Sequence, residues 1–173
     1  FCDATSAAFA MEMDFNKLDV VTWSWQKVLG SEGGFGMLAL SPKAIARLES
    51  YQPSRPLPKI FRITKSGKVT QGVFKGATLN TPSMLALEDL HSALSWAESI
   101  GGLPSLIQRC NDNFKAVDTW VSQTEWIDWL PNKIETLSTT SMCLKVVSKE
   151  FSNLSDEQQQ TATGLMCQWL EEE

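Results

Sequence analysis

Three places in the chain bring together side chains able to do chemistry. The first is Lys27, which follows the apolar run Val20-Val21-Thr22 and precedes a loop holding Gly30, Gly33, Gly34 and Gly36. Most lysines are solvated, but one at a strand end among small and apolar residues can lose hydration and become a nucleophilic amine. That is the group Schiff-base chemistry needs. The second is Asp3, in Cys2-Asp3-Ala4-Thr5-Ser6-Ala7; taken alone it reads as a loop cap, a common use of aspartate. The third is Asn80-Thr81-Pro82, where the pattern predicts a helix with Thr81 as N-cap and Pro82 in the first turn. Free N–H groups and the positive end of the helix dipole make such a terminus a ready anion site.

The elements that must position these residues follow from periodicity and turn chemistry. Val20-Val21-Thr22 and Met37-Leu38-Ala39-Leu40 read as strands separated by the glycine-rich loop. Ser41-Pro42 opens a helix through Ala44, Ile45 and Leu48 that stops before Pro53. Pro53, Pro56 and Pro58 deny regular structure to the next segment, which reads as a crossing segment with a domain boundary near it. The helix opening at Pro82 carries Leu87, Leu90, Leu94 and Ala97 at helical spacing and ends at Gly101-Gly102. A longer helix follows, with Leu103, Leu106, Ile107, Cys110, Phe114, Val117 and Val121 on one stripe. The stretch around Trp126, Trp129 and Pro131 reads as loop, Met142 to Val147 as a strand, and Ser155 with Gln158 as a capping box for a last helix. A lone strand in this final part would leave its ladder unpaired on both sides, so partner strands are expected from further sequence or a second copy.

Composition narrows the function. The 173 residues are 43% hydrophobic with seven Trp and eight Phe, enough for a sizeable core. Fifteen basic and twenty acidic residues are spread along the chain for a net charge of −5, so no basic patch recommends nucleic acid or an anionic membrane. The short acidic run Glu171 to Glu173 reads as a solvated terminus. Cys2, Cys110, Cys143 and Cys167 are scattered, with no CxxC pair and no nearby His, so no metal site is expected and a reducing, cytoplasmic setting fits. No apolar run is long enough to span a bilayer. His91, the single histidine, has no nucleophile or second ligand beside it and is expected to be structural or exposed. Arg55, Arg62, Lys65, Lys68 and Lys75 form a basic stretch suited either to solvation or to holding a phosphorylated substrate.

The segment Leu18 to Lys27, continuing to Gly34-Phe35-Gly36-Met37-Leu38, resembles the lysine attachment signature of class V pyridoxal-phosphate-dependent aminotransferases. It departs from that signature at Trp25, where a small residue is usual. Cys2 to Ala7 is similar to the strand-end segment whose aspartate pairs with the cofactor's pyridine nitrogen. Phe74 to Ser83, with Asn80-Thr81-Pro82, resembles the phosphoserine aminotransferase branch of the class. Pro56 to Arg62 and Trp96 to Leu103 also look like that branch, so the likeness covers nearly the whole chain.

The resemblance implies an α/β fold: part of the fold-type I (aspartate aminotransferase-like) large domain plus an incomplete α+β C-terminal small domain. On it, residues 1–58 belong to the cofactor-binding large domain with the Schiff-base lysine. Residues 59–102 are the crossing segment and helix completing a cofactor site shared between subunits of a homodimer, and 103–173 are the incomplete small domain. Lys27 becomes the catalytic lysine. Asp3, Gln26, Lys27, Asn80 and Thr81 become the pyridoxal 5′-phosphate ligands, with Asn80 and Thr81 reaching the neighbouring subunit's cofactor phosphate. The reaction implied is glutamate-dependent amination of phosphohydroxypyruvate in serine biosynthesis. A glycine-rich phosphate loop, a ring-stacking aromatic residue and a carboxylate-gripping arginine of the family are not found here. The chain, which opens at Phe1, therefore reads as an interior piece expected to be inactive alone. The alternatives are another class V enzyme, a serine–glyoxylate aminotransferase or a cysteine desulfurase, and a non-catalytic dimerising module.

Overall fold

A computed structural model describes residues 1–172; Glu173, the last of the acidic run, lies outside the described residues. The chain divides into two compact units, Phe1–Arg109 and Cys110–Glu173.

In the first unit, β1 (Cys2–Asp3), β2 (Val20–Ser24) and β3 (Gly36–Leu40) form one sheet in that order. β1 runs parallel to β2, with Asp3 opposite Thr22, while β2 and β3 pair antiparallel from Val20 with Leu40 to Ser24 with Gly36. Val21, 2% exposed, lies at the centre of this sheet with Ala4 and Ala10 also buried. Gly36 is dictated by the pairing. A Cβ built there would overlap the Trp23 carbonyl, so any larger residue would force the two strands apart. Ser41 caps α1 (Pro42–Ser50) as its sequence predicts, its hydroxyl accepting from the Ala44 N–H at 3.1 Å.

The proline segment carries only a short 3-10 turn, Lys59–Phe61. A two-residue hairpin follows, β4 (Thr64–Lys65) with β5 (Lys68–Val69), whose turn uses Ser66 and Gly67 at positive φ. Helix α2 (Met84–Ser99) begins later than its sequence implies. Its N-cap is Ser83, whose hydroxyl accepts from the Ala86 N–H at 3.3 Å. Thr81 therefore precedes the cap instead of forming it: with two capping residues flanking Pro82, the serine nearer the apolar face satisfies the orphan donor. Gly101 and Gly102, both at positive φ, turn the chain from α2 into α3 (Gly102–Ser122), a double left-handed step that only glycine takes easily. The division between units falls within α3. Leu106 and Val121 of the expected apolar stripe are buried, whereas Leu103 is exposed.

The second unit corrects one expectation. The Trp-rich stretch contains a strand, β6 (Ile127–Trp129), which pairs antiparallel with β7 (Leu144–Val146), so β7 is not alone. Three residues give too short an alternation to register beside Pro131. Ile127 is nevertheless buried, and Trp129 stacks on Phe114 at 5.2 Å while its indole N–H donates to Asp118 at 3.0 Å. Helix α4 (Lys149–Ser152) is capped by Ser148. Helix α5 (Asp156–Glu172) opens with the expected capping box: the Gln158 N–H donates to Ser155 Oγ at 3.3 Å and the Ser155 N–H to Gln158 Oε1 at 3.0 Å. No helix among the described residues is long and apolar enough to cross a membrane.

Candidate functional site

The ends of β1 and β2 set the geometry of the candidate site. Asp3 closes β1, and Ala4 continues the pairing by donating its N–H to the Thr22 carbonyl at 2.7 Å. Thr5 then turns back onto Asp3. Its N–H and its hydroxyl both donate to Asp3 Oδ1, at 3.0 and 2.6 Å, while Thr5 Oγ1 accepts the Ser24 N–H at 3.3 Å. A relay therefore runs from the end of β2 through Thr5 to the carboxylate. The Thr5 hydroxyl first, and its backbone N–H second, hold the Asp3 carboxyl below the ordinary aspartate range, because both bonds favour the charged form. No cation pairs with Asp3 among the described residues.

Asp3 lines an open cleft of about 700 Å³ together with Gln26, Trp23 and Phe35, and Ile60, just past the proline segment, also lines it. Residues distant in sequence, Asp3 and Gln26, thus meet on one surface. Past β2 the chain turns sharply. Trp25 donates its N–H to the Phe35 carbonyl at 3.1 Å and its carbonyl accepts the Ser31 N–H at 3.2 Å, which closes a loop around Gln26 and Lys27. Trp25, the departure from the expected signature, is 6% exposed and stacks on Phe35 with ring centroids 6.0 Å apart. Its buried bulk anchors the turn.

Lys27 stands exposed on this turn, its carbonyl accepting the Gly30 N–H at 3.0 Å, and is not among the residues lining the Asp3 cleft. Asn80 and Thr81 are exposed on the approach to α2, also outside that cleft. Asp3 and Gln26 are thus brought together; Lys27 adjoins them through the chain, and Asn80 and Thr81 do not share the cleft. Ser31, 8% exposed, ties the lysine loop to α2 by donating its hydroxyl to the Ala86 carbonyl at 3.2 Å. Thr5 and Ser31 have no role in the sequence reading. Thr5 was legible, since a hydroxyl residue two places after Asp is an Asx-turn pattern. Ser31 was not, its partner lying far along the chain. His91 is exposed, as expected, and no group of three His, Cys, Asp or Glu among the described residues could hold a metal ion.

The donor set suits a planar, cationic heteroaromatic aldehyde. It offers an ionised carboxylate for a ring nitrogen, flat aromatic walls, an amide beside them and a primary amine on the adjoining turn.

None of the known protein-family models matches the chain. Among curated proteins it is 57% identical over 156 residues to a phosphoserine aminotransferase of Methanosarcina barkeri, a match spanning 90% of this chain and 40% of the relative. The chain thus spans about two-fifths of the length of that relative. Among solved structures it resembles a phosphoserine aminotransferase of Cytophaga hutchinsonii with a TM-score of 0.67 at 17% identity, over 84% of this chain and 39% of that one. It also resembles an alanine–glyoxylate aminotransferase of a Nostoc species with a TM-score of 0.65 at 15% identity, over 85% and 38%. The chain carries part of the aminotransferase fold, and that fold is common to enzymes with different substrates.

Proposed function

The chain is homologous to part of the phosphoserine aminotransferases over nine-tenths of its length, and from that premise we propose that the whole protein transfers an amino group from glutamate to phosphohydroxypyruvate with pyridoxal phosphate. The observation that carries the proposal is the meeting of Asp3 and Gln26 on one cleft, with Lys27 the next residue in the chain.

When bound, pyridoxal phosphate supplies an aldehyde that condenses with amines and a ring that withdraws the electron pair left when a substrate's α-hydrogen departs. Asp3 would keep the ring nitrogen protonated, and the two bonds from Thr5 keep that carboxylate ionised for the purpose. Lys27 would hold the aldehyde carbon until an incoming amino acid displaces it. Its freed amine would then move a proton between the substrate's α-carbon and the former aldehyde carbon, first as base and then as acid. Gln26 would contact the cofactor from the cleft wall. Asn80 and Thr81 would donate to a cofactor phosphate in the neighbouring subunit, which requires a homodimer. Residues 1–58 would serve as large domain, 59–102 as the shared crossing part and 103–173 as small domain, in a cytoplasmic protein.

The Asn80-Thr81-Pro82 stretch favours phosphoserine over glyoxylate-dependent amination, because it resembles that branch of the class. The test is turnover by the whole protein with phosphohydroxypyruvate and with glyoxylate as competing acceptors. Preference for the phosphorylated acceptor, abolished by Lys27→Ala, is expected; equal or greater use of glyoxylate would refute the substrate.

A further inference from the structure

We propose that Ser31 is a positioning residue that sets the Asn80-Thr81 segment against the lysine loop, so that the loop carrying Lys27 also aligns the donors offered to the neighbouring subunit's cofactor. The inference rests on the aminotransferase reading and adds the strut that joins its two cofactor-holding segments. Among the described residues Ser31 is the one hydroxyl-bearing, amide or charged side chain that is buried. A buried hydroxyl is costly unless it finds a partner. Ser31 finds one 55 residues along the chain, donating to the Ala86 carbonyl at 3.2 Å.

The bonds on either side of this contact run to both candidate segments. Upstream, the Ser31 N–H donates to the Trp25 carbonyl at 3.2 Å and the Gly30 N–H to the Lys27 carbonyl at 3.0 Å. Ser31 is therefore fixed to the Lys27 turn by backbone bonds. Downstream, the Ala86 N–H donates to Ser83 Oγ at 3.3 Å, which caps α2. Ala86 is fully buried, whereas Met84 and Leu85 are 62% and 66% exposed, so the start of α2 rests on Ala86. Pro82, its φ fixed by its ring, joins that capped turn directly to Thr81.

The segment ahead of that turn lies on the surface. Every residue from Val73 to Thr81 is exposed, and the acid-free stretch from Ser50 to Leu87 holds no Asp or Glu that would repel a phosphate. Exposed donors hold an anion well when they are ordered before it arrives, because the cost of ordering them is then not charged to binding. Ser31 supplies that order from inside the fold and acts through Ala86, since it does not line the Asp3 cleft. Loss of its hydroxyl should loosen Asn80 and Thr81. The ring side of the site should stay in place, because Asp3 is held by Thr5 and the Lys27 turn keeps its backbone bonds and the buried Trp25.

The whole protein, freed of cofactor, is titrated with pyridoxal phosphate and with pyridoxal, and binding is followed by visible absorbance. Ser31→Ala should weaken pyridoxal phosphate about fivefold, the scale of one hydrogen bond, and leave pyridoxal unchanged, because only the phosphate end depends on the strut. In an Asn80→Ala, Thr81→Ala background the same change should cost less than about twofold, since the groups it positions are already gone. Ser31→Cys, which fills the same space with a weak donor, should repeat the pattern of Ser31→Ala. Ser99→Ala, which removes another serine-to-carbonyl bond at the end of α2, should change nothing. Circular dichroism on each variant confirms that the fold is retained. Equal weakening of pyridoxal and pyridoxal phosphate, full additivity with the Asn80→Ala, Thr81→Ala pair, or unchanged binding in Ser31→Ala would each overturn the proposal and leave the cofactor reading intact. Absence of any pyridoxal phosphate adduct on Lys27 in the parent protein would instead remove the cofactor reading, and the proposal with it.

Discussion

The sheet end that carries Asp3 and the acid-free stretch from 50 to 87 are built on opposite terms. At the sheet end the polar groups around the carboxylate are tied in sequence: Ser24 to Thr5, Thr5 to Asp3, and Trp25 to Phe35 and Ser31. Along the acid-free stretch the reverse holds. Among the described residues Arg55 has no ion-pair partner, Asn80 and Thr81 are exposed, and Ile60 and Phe61 are 68% and 66% exposed. The first region is preorganised by its own chain, so its chemistry does not wait on a ligand to order it. The second presents donors and apolar surface whose complement is a ligand or another surface.

Substitutions at the sheet end should therefore damage the protein itself. Trp25→Ala should show the largest effect, about 3–5 kcal/mol lost from the first unit, because it removes a buried ring stacked on Phe35; urea denaturation followed by fluorescence reads it. Destabilisation below about 1 kcal/mol would mean that the Lys27 turn does not depend on that anchor. Next comes Ser31→Ala, expected to cost about 1 kcal/mol. The loss should be confined to faster amide exchange near Trp25–Ser31 and the first turn of α2, since only the bond to the Ala86 carbonyl disappears.

Much of this arrangement was legible in the sequence. The two strands flanking the lysine loop, the Ser41 cap and the Ser155 capping box follow from local patterns, and they are found as expected. What escaped was set by tertiary contact. Strand β6 is recognisable through Trp129 packing on Phe114 and its pairing with β7, neither of which three residues can announce. The start of α2 hinged on two adjacent capping residues, and the sequence alone does not choose Ser83 over Thr81. Within the candidate site, the family resemblance pointed to Asp3 and Gln26, but only folding shows that they share a cleft and that Ser31 ties the lysine loop to a distant helix.

A smaller effect sharpens the contrast further. Because the folded Asp3 carboxyl lies below its ordinary value, its contribution to stability is present above the unfolded pKa, about 4, and is lost as pH falls through the lowered folded value. Thr5→Val removes the hydroxyl donor, so the Asp3 pKa should rise toward the ordinary value and the acid-side difference should shrink; carboxyl NMR titration follows it directly. Smallest of all, Arg55→Ala and Arg62→Ala should change stability by less than about 0.5 kcal/mol, since both side chains are exposed. A larger loss in thermal unfolding would place the arginines in the scaffold and erase the distinction between the two regions.

The most direct measurement is made on the amine itself. The chain is incubated with pyridoxal phosphate, reduced with borohydride and digested, and the labelled peptides are mapped by mass spectrometry. Label concentrated on Lys27, and reduced in Asp3→Asn, is the predicted result. Label absent from Lys27, or spread over it and other exposed lysines such as Lys17 and Lys43 without preference, would contradict its role as the cofactor lysine.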